Sequence, residues 1–238
     1  TPYIYHLQDI HPESIVVAGQ LRQGWLSRFL MWQDVASCRT AKQIVTLSSD
    51  MRETLLERPG CSALAGSIST INNFPLDVYH DVSETDLPTI FQSEGDDRFR
   101  VLFAGNMGHY QQLDQLVDAA KLLADKPQIR FIFMGAGAVC DDIQERAGEL
   151  VGRTIFFEPY QPVEVAFCCM RQCDLGVISL AEGVYRAAYP SKTMTYLASG
   201  LPILAVVESN SGIADEIREY GFGYVSATTT PDGIADAI

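Results

Sequence analysis

The chain has 238 residues, 47% of them hydrophobic and 20% charged. That balance suits a folded globular protein and excludes disorder, collagen and a coiled coil; one large or two modest domains fit the length. With 30 acidic residues against 17 basic ones the net charge is −13, which argues against a nucleic-acid binder working by phosphate neutralisation.

The predicted elements begin with a strand over residues 3–8 and a helix over 25–38, where Leu26, Phe29 and Leu30 follow the 3.6 period. A short strand at 44–47 leads into Ser48-Ser49-Asp50, a set of caps for a helix over 51–57 that Pro59-Gly60 ends. Residues 68–71 read as another strand. Residues 78–98 are acidic, broken by Pro88 and Gly95, and aperiodic; they read as a linker. From Arg100 onward strands (101–104, 129–134, 154–157, 175–179, 203–207, 224–226) alternate with helices (around 113–124, then 141–150, 164–172, 191–199, 213–220 and a start at 232). Continuous apolar strands separated by helices predict a parallel sheet covered on both faces, with its ligand at the carboxyl ends of the strands.

The first of these strands ends in Gly105-Asn106-Met107-Gly108 and the second in Gly135-Ala136-Gly137. Glycines there let a backbone approach a ligand, or simply make tight turns; the two readings weigh about equally. Neither stretch is a dinucleotide fingerprint, and no phosphate-loop motif of nucleotide hydrolases is present. The sharper signal is Tyr189-Pro190-Ser191-Lys192-Thr193, followed by MTYLASGLP. It places a lysine at the start of a helix, where the helix dipole disfavours a cation unless an anionic ligand neutralises both.

These stretches resemble the C-terminal, donor-binding half of family 4 glycosyltransferases with the GT-B fold, in the bacterial surface-polysaccharide branch. The match rests on VLFAGNMG, FIFMGAG, PSKTMTYLASGLPILAV and GFGYV, with LQDIHPES, IVTLSSDM and TINNFPLD in the first third. The resemblance implies an α/β protein of GT-B type. Residues 1–77 would be the end of an acceptor-side Rossmann-like domain, 78–98 the linker and 99–238 the donor-binding domain. Because the chain opens directly on a strand and closes on the first turns of a helix, a piece of a longer protein is expected. The implied reaction moves a sugar, with retention and without a metal, from a nucleoside-diphosphate sugar to an acceptor hydroxyl on a glycan or lipid-linked glycan. No cofactor is implied, and the piece alone need not turn over.

Residue by residue, the resemblance puts Gly105, Asn106 and Gly108 at the diphosphate or transferred sugar. Gly135 and Gly137 would border base and ribose, with Tyr160 and Gln161 nearby. Ser191, Lys192 and Thr193 would hold the diphosphate, with Glu182 and Arg186 in the preceding loop, and Asp9 would face the reacting sugar as the nameable base. Two departures stand out. The loop HYQQLDQ (109–115) lacks the Arg and Lys that many relatives use on the diphosphate. Ala187 and Thr195 occupy the places of two family glutamates. Alternatives are an epimerase of the same architecture, which would want those carboxylates, and a non-catalytic binding domain.

No apolar run approaches the roughly 20 residues of a transmembrane helix. His6, Asp9, His11 and Glu13 stand where a leader's apolar core would lie. Six cysteines at 38, 61, 140, 168, 169 and 173 show neither a C-x-x-C pair nor a zinc spacing, which favours a reducing compartment. The expectation is cytoplasmic. The stretch 20–42 sets Arg22, Arg28, Arg39 and Lys42 against Asp34 alone, beside Trp25, Phe29 and Trp32. It reads first as a packing face and second as a peripheral contact with a membrane.

Overall fold

The computed structural model describes residues 1–17, 19–75, 82–92 and 97–238. They divide into two units. The first comprises Thr1–Phe74, Glu182–Pro190 and Asn210–Asp215; the second holds Pro75–Ala181, Ser191–Ser209 and Glu216–Ile238.

In the first unit, β1 (Ile4–His6), β2 (Gln43–Thr46) and β3 (Ile68–Thr70) form a parallel sheet in that order. Its strands are short: β1 buries no residue, β2 buries Ile44 and Thr46, and β3 buries Ile68. Helix α1 (Glu13–Val17) has five residues, too few for a periodic signal, and the sequence reading missed it. Helix α2 (Trp25–Thr40) buries Ser27, Val35 and Cys38 and exposes Trp25, Phe29 and Trp32. The rings of Phe29 and Trp32 stack at 6.1 Å. Helix α3 (Ser49–Glu57) starts as predicted: the Ser48 hydroxyl accepts from the Met51 amide at 3.2 Å.

The middle of this unit is a buried ionic cluster. Arg58 is 4% exposed. Its guanidinium donates to both carboxylate oxygens of Glu13, to Asp34 and, at 2.6 Å, to the His11 carbonyl. Burial alone would lower the Arg58 pKa, but Glu13 and Asp34 outweigh it and the value stays raised. Tyr5 donates its hydroxyl to Asp34, and burial followed by that contact pushes its pKa up. The cluster ties α1, α2 and the end of α3 to β1.

The second unit is a six-stranded parallel sheet built from β4 (Phe99–Asn106), β5 (Ile129–Ala136), β6 (Ile155–Glu158), β7 (Leu175–Ser179), β8 (Ile203–Val206) and β9 (Gly223–Val225). The spatial order is β6-β5-β4-β7-β8-β9. The connecting helices are α4 (Leu113–Leu122), α5 (Cys140–Ala147), α6 (Val163–Arg171), α7 (Lys192–Ala198), α8 (Gly212–Tyr220) and α9 (Pro231–Ala237). Leu113, Leu116, Val117 and Ala120 of α4 meet Val101, Phe103, Phe131 and Phe133 in one core, with Ile234 of α9. Strands β7 and β8 are buried along their whole length, as their unbroken apolar sequence predicts.

Of the predicted linker, residues 78–81 and 93–96 lie outside the described residues. Residues 82–92 belong to the second unit and bury Leu87, Ile90 and Phe91 through two tight turns. Composition concealed those three anchors among the acids.

Candidate functional site

Strand order reverses between β4 and β7: from β4 the chain runs outward through β5 to β6, then returns to β7 and continues through β8 to β9. A parallel sheet opens a crevice at such a reversal, on the carboxyl side. Here the opening is visible in the ladder. Strand β4 pairs with β5 along its full length, up to Asn106 against Ala136, but with β7 only at Val101–Leu175 and Leu102–Gly176. Beyond those pairs β7 continues with β8 alone.

Helix α7 fills the gap. Tyr196, fully buried, lies over Gly176, where an added Cβ would come within 2.8 Å of the ring. Its hydroxyl oxygen accepts the Ala104 amide at 2.8 Å. One turn earlier on the same face, the Lys192 Nζ sits 3.6 Å from the centroid of the Phe103 ring. A Cβ on Gly105 would be 3.8 Å from Lys192 Cε and 3.9 Å from Nζ. Among the described residues no charged side chain pairs with it, and burial lowers the Lys192 pKa to about 7. An ammonium resting on a π face beside bare backbone has the chemistry to accept an anion.

The glycines around it divide by cause. Gly105 has φ +119, and its missing side chain leaves Lys192 against the strand end. Gly135 is forced by packing: a Cβ there would stand 2.0 Å from the Gly105 carbonyl oxygen. Gly137 would strike the Met107 carbonyl oxygen at 2.3 Å in the same way. Close approach of two strand ends therefore accounts for Gly135-Ala136-Gly137 without a ligand. The Gly108 amide donates to Gln111 Oε1 at 2.9 Å, within its own loop. Asn106 is exposed at the rim.

Tyr160 donates its hydroxyl to the Ala136 carbonyl at 3.3 Å, which brings it to the second glycine loop. Gln161 follows it on the surface loop and donates to the Pro159 carbonyl at 3.3 Å. Glu158 ends β6 beside this loop, half-buried, with burial raising its pKa; nothing in the sequence singled it out. Ser191 is exposed ahead of α7 and makes no cap with its side chain, while Thr193 is fully buried. The first turn of α7 thus presents Lys192 more than a ring of hydroxyls. A separate groove of about 690 Å³, lined by Arg98, Gln128 and Arg153 among others, lies at the opposite, amino-terminal end of the strands.

Three predicted residues belong to the first unit. Asp9 is exposed at the end of β1, bridged antiparallel to Ala188, and the Ile10 amide donates to the Ala187 carbonyl at 2.7 Å. Glu182 is exposed. Arg186 forms an ion pair with Glu57 and so already has an anion. In the same unit, which includes the first residues of α8 (212–215), the Asp50 carboxylate accepts the Gly212 amide at 2.7 Å; burial raises its pKa against that bond. Among the described residues no group of three or more His, Cys, Asp or Glu could hold a metal ion, and no helix is long and apolar enough to cross a membrane.

Comparison with known proteins identifies the family and the fold. A family model described as "Glycosyl transferases group 1" matches residues 98–238. The chain is 26% identical over 239 residues to the "Probable glycosyltransferase WbjE" of Pseudomonas aeruginosa, covering 99% of this chain and 58% of that protein. The crystal structure of Anabaena Alr3699/HepE in complex with UDP superposes with a TM-score of 0.70 at 20% identity, over 99% of this chain and 61% of that one. WaaG, a glycosyltransferase involved in lipopolysaccharide biosynthesis, gives 0.67 at 14% identity, over 98% and 64%. The fold is that of these GT-B enzymes. The chain spans about three-fifths of the length of these proteins.

Proposed function

We propose that this chain, which belongs to the group 1 glycosyl transferases, is the donor-binding part and a portion of the acceptor side of an enzyme of bacterial surface-polysaccharide synthesis. In the reaction the bond from the sugar's anomeric carbon to the nucleoside diphosphate breaks. A bond to the acceptor oxygen forms, the acceptor's proton leaves to a base, and the diphosphate departs with the electron pair. The barrier lies in the charge gathering on that diphosphate, and preorganised positive charge in a desolvated crevice lowers it. The observation that carries this reading is Lys192, held at the β4/β7 opening beside Gly105 with no counter-ion among the described residues.

In this reading Lys192 takes the diphosphate, Gly105, Asn106 and Gly108 line it, and Ser191 and Thr193 shape its helix. Gly135, Gly137, Tyr160 and Gln161 border the nucleoside. Glu182 and Arg186, in the loop ahead of Lys192, belong to the donor-binding set, Arg186 being already paired with Glu57, and Asp9 serves the acceptor side as base. Residues 1–77 supply that side and 99–238 the donor side. Transfer proceeds with retention and needs no metal. The enzyme works in the cytoplasm, and Trp25, Phe29 and Trp32 with Arg22 and Arg28 give α2 a surface suited to the inner face of the membrane and a lipid-linked acceptor. Equal liposome flotation with and without Arg22, Arg28 and Arg39 would remove that last element.

Titration calorimetry with UDP, GDP and ADP tests the central claim. UDP is the first choice because Alr3699/HepE was crystallised with it. Lys192→Ala should weaken the best of the three by about 1–3 kcal/mol, the value of a charge-assisted contact to phosphate. Unchanged affinity would take Lys192 out of the mechanism.

A further inference from the structure

We propose that Tyr196 is a positioning residue: its phenol oxygen stands in for the strand partner that Ala104 lacks, holds the end of β4 apart from β7, and thereby sets the seat of Lys192 beside Gly105. The proposal deepens the diphosphate site and rests on that reading for its consequence in binding, though not for its structural content.

Three observations converge on it. The β4–β7 ladder stops at Leu102–Gly176, although β4 runs on to Asn106 and β7 to Ser179. Two facing strand edges left open in a buried sheet would either zip together or leave orphan amides, and an orphan amide there is costly. The Ala104 amide is instead bonded to a side chain, the Tyr196 hydroxyl at 2.8 Å. The ring that carries this hydroxyl fills the space over Gly176, with Leu201 Cδ2 also 2.9 Å from where a Cβ on Gly176 would stand. A leucine or phenylalanine could pack there; only a tyrosine also satisfies Ala104. Lys192 and Tyr196 are four residues apart on α7 and share its face, so the wedge that parts the strands also fixes where the ammonium rests, against Phe103 and Gly105. If the strands closed, Gly105 would move toward β7 and the crevice with it.

The test is Tyr196→Phe in the full chain, which removes one oxygen atom and keeps the ring. Without any nucleotide, amide hydrogen exchange over residues 103–106 should accelerate about tenfold or more while α4, β5 and β8 keep their wild-type protection. A merely structural loss would speed exchange throughout the unit. Calorimetry with UDP, or with whichever of UDP, GDP and ADP the wild type binds, should show Kd raised about tenfold. Unchanged exchange at 103–106 overturns the proposal whatever the nucleotide does, and so does local acceleration with unaltered Kd. Local acceleration in a chain whose wild type binds none of the three nucleotides sustains the wedge and sinks the donor-site reading instead. Should the variant not fold, the wild-type Ala104 amide decides: protection equal to that of Phe103 sustains the bond to Tyr196, and exchange at the rate of an exposed loop amide overturns it.

Discussion

Two cations, Arg58 buried in the first unit and Lys192 half-buried in the second, occupy opposite situations. Arg58 is enclosed by the carboxylates of Glu13 and Asp34 and a backbone carbonyl, so its charge is matched inside the protein. Lys192 has an aromatic face and a glycine backbone, and burial lowers its pKa to about 7. Burial by itself is no mark of function; what distinguishes the two is whether the protein supplies the anion. Arg58 is a strut, whereas Lys192, in the function proposed above, is half of a pair whose other half comes from outside.

Breaking the strut should have the largest effect. Arg58→Ala leaves Glu13 and Asp34 in a low-dielectric site without a partner, and about 3–5 kcal/mol of stability should disappear from urea denaturation. A loss below about 1 kcal/mol would mean that solvent reaches the cluster and that the contrast with Lys192 is false.

Lys192→Met sharpens the other side. Removing a desolvated charge that nothing compensates should leave the ligand-free chain as stable as wild type, or more so, while nucleotide affinity falls by about tenfold or more. Lost stability together with lost binding would reassign the lysine to the fold.

A pH series separates the pair further. The pKa of Lys192 is lowered from 10.5 to about 7 in the folded chain. Between those values the unfolded chain holds the proton and the folded one does not, so this group makes stability rise with pH from about 7 to about 10.5. Diphosphate affinity should run the other way, weakening as pH climbs above about 7 and the ammonium is lost. Melting curves and calorimetry over that range, compared with Lys192→Met, isolate the lysine; identical slopes in the two chains would break the assignment.

The smallest effect is local and concerns neither cation. Ser48→Ala removes the acceptor for the Met51 amide and should cost about 1 kcal/mol in the same denaturation experiment, with nucleotide binding untouched.

The strands around Lys192 were legible because buried parallel strands are written as unbroken apolar runs, and the lysine itself stood out against the helix dipole. Its partners were not. Phe103 and Tyr196 sit within apolar stretches and look like core, and only the premature end of the β4–β7 ladder gives Tyr196 a second task. Gly135 and Gly137 carry a second meaning that the sequence hides: it cannot distinguish a glycine facing a ligand from one facing the next strand's carbonyl, and packing alone already requires both. The Arg58 cluster was hidden because its members lie at residues 5, 13, 34 and 58, with no local spacing to connect them. Arg186 looked available in the sequence and is paired with Glu57 in the fold.

The chain returns to the first unit twice after leaving it, through Glu182–Pro190 and Asn210–Asp215. Cutting at the acidic stretch between 75 and 98 therefore yields no finished halves. A C-terminal product would carry Val184, Ala187, Tyr189 and Ile213, all buried in the intact chain, with no counterpart to cover them. Such a product should be sticky and prone to precipitate, whereas a cut that leaves both returning segments with residues 1–74 would require splitting the sheet's own connections. Anyone dissecting this protein into separately expressed modules is better served by altering surfaces than by trimming ends.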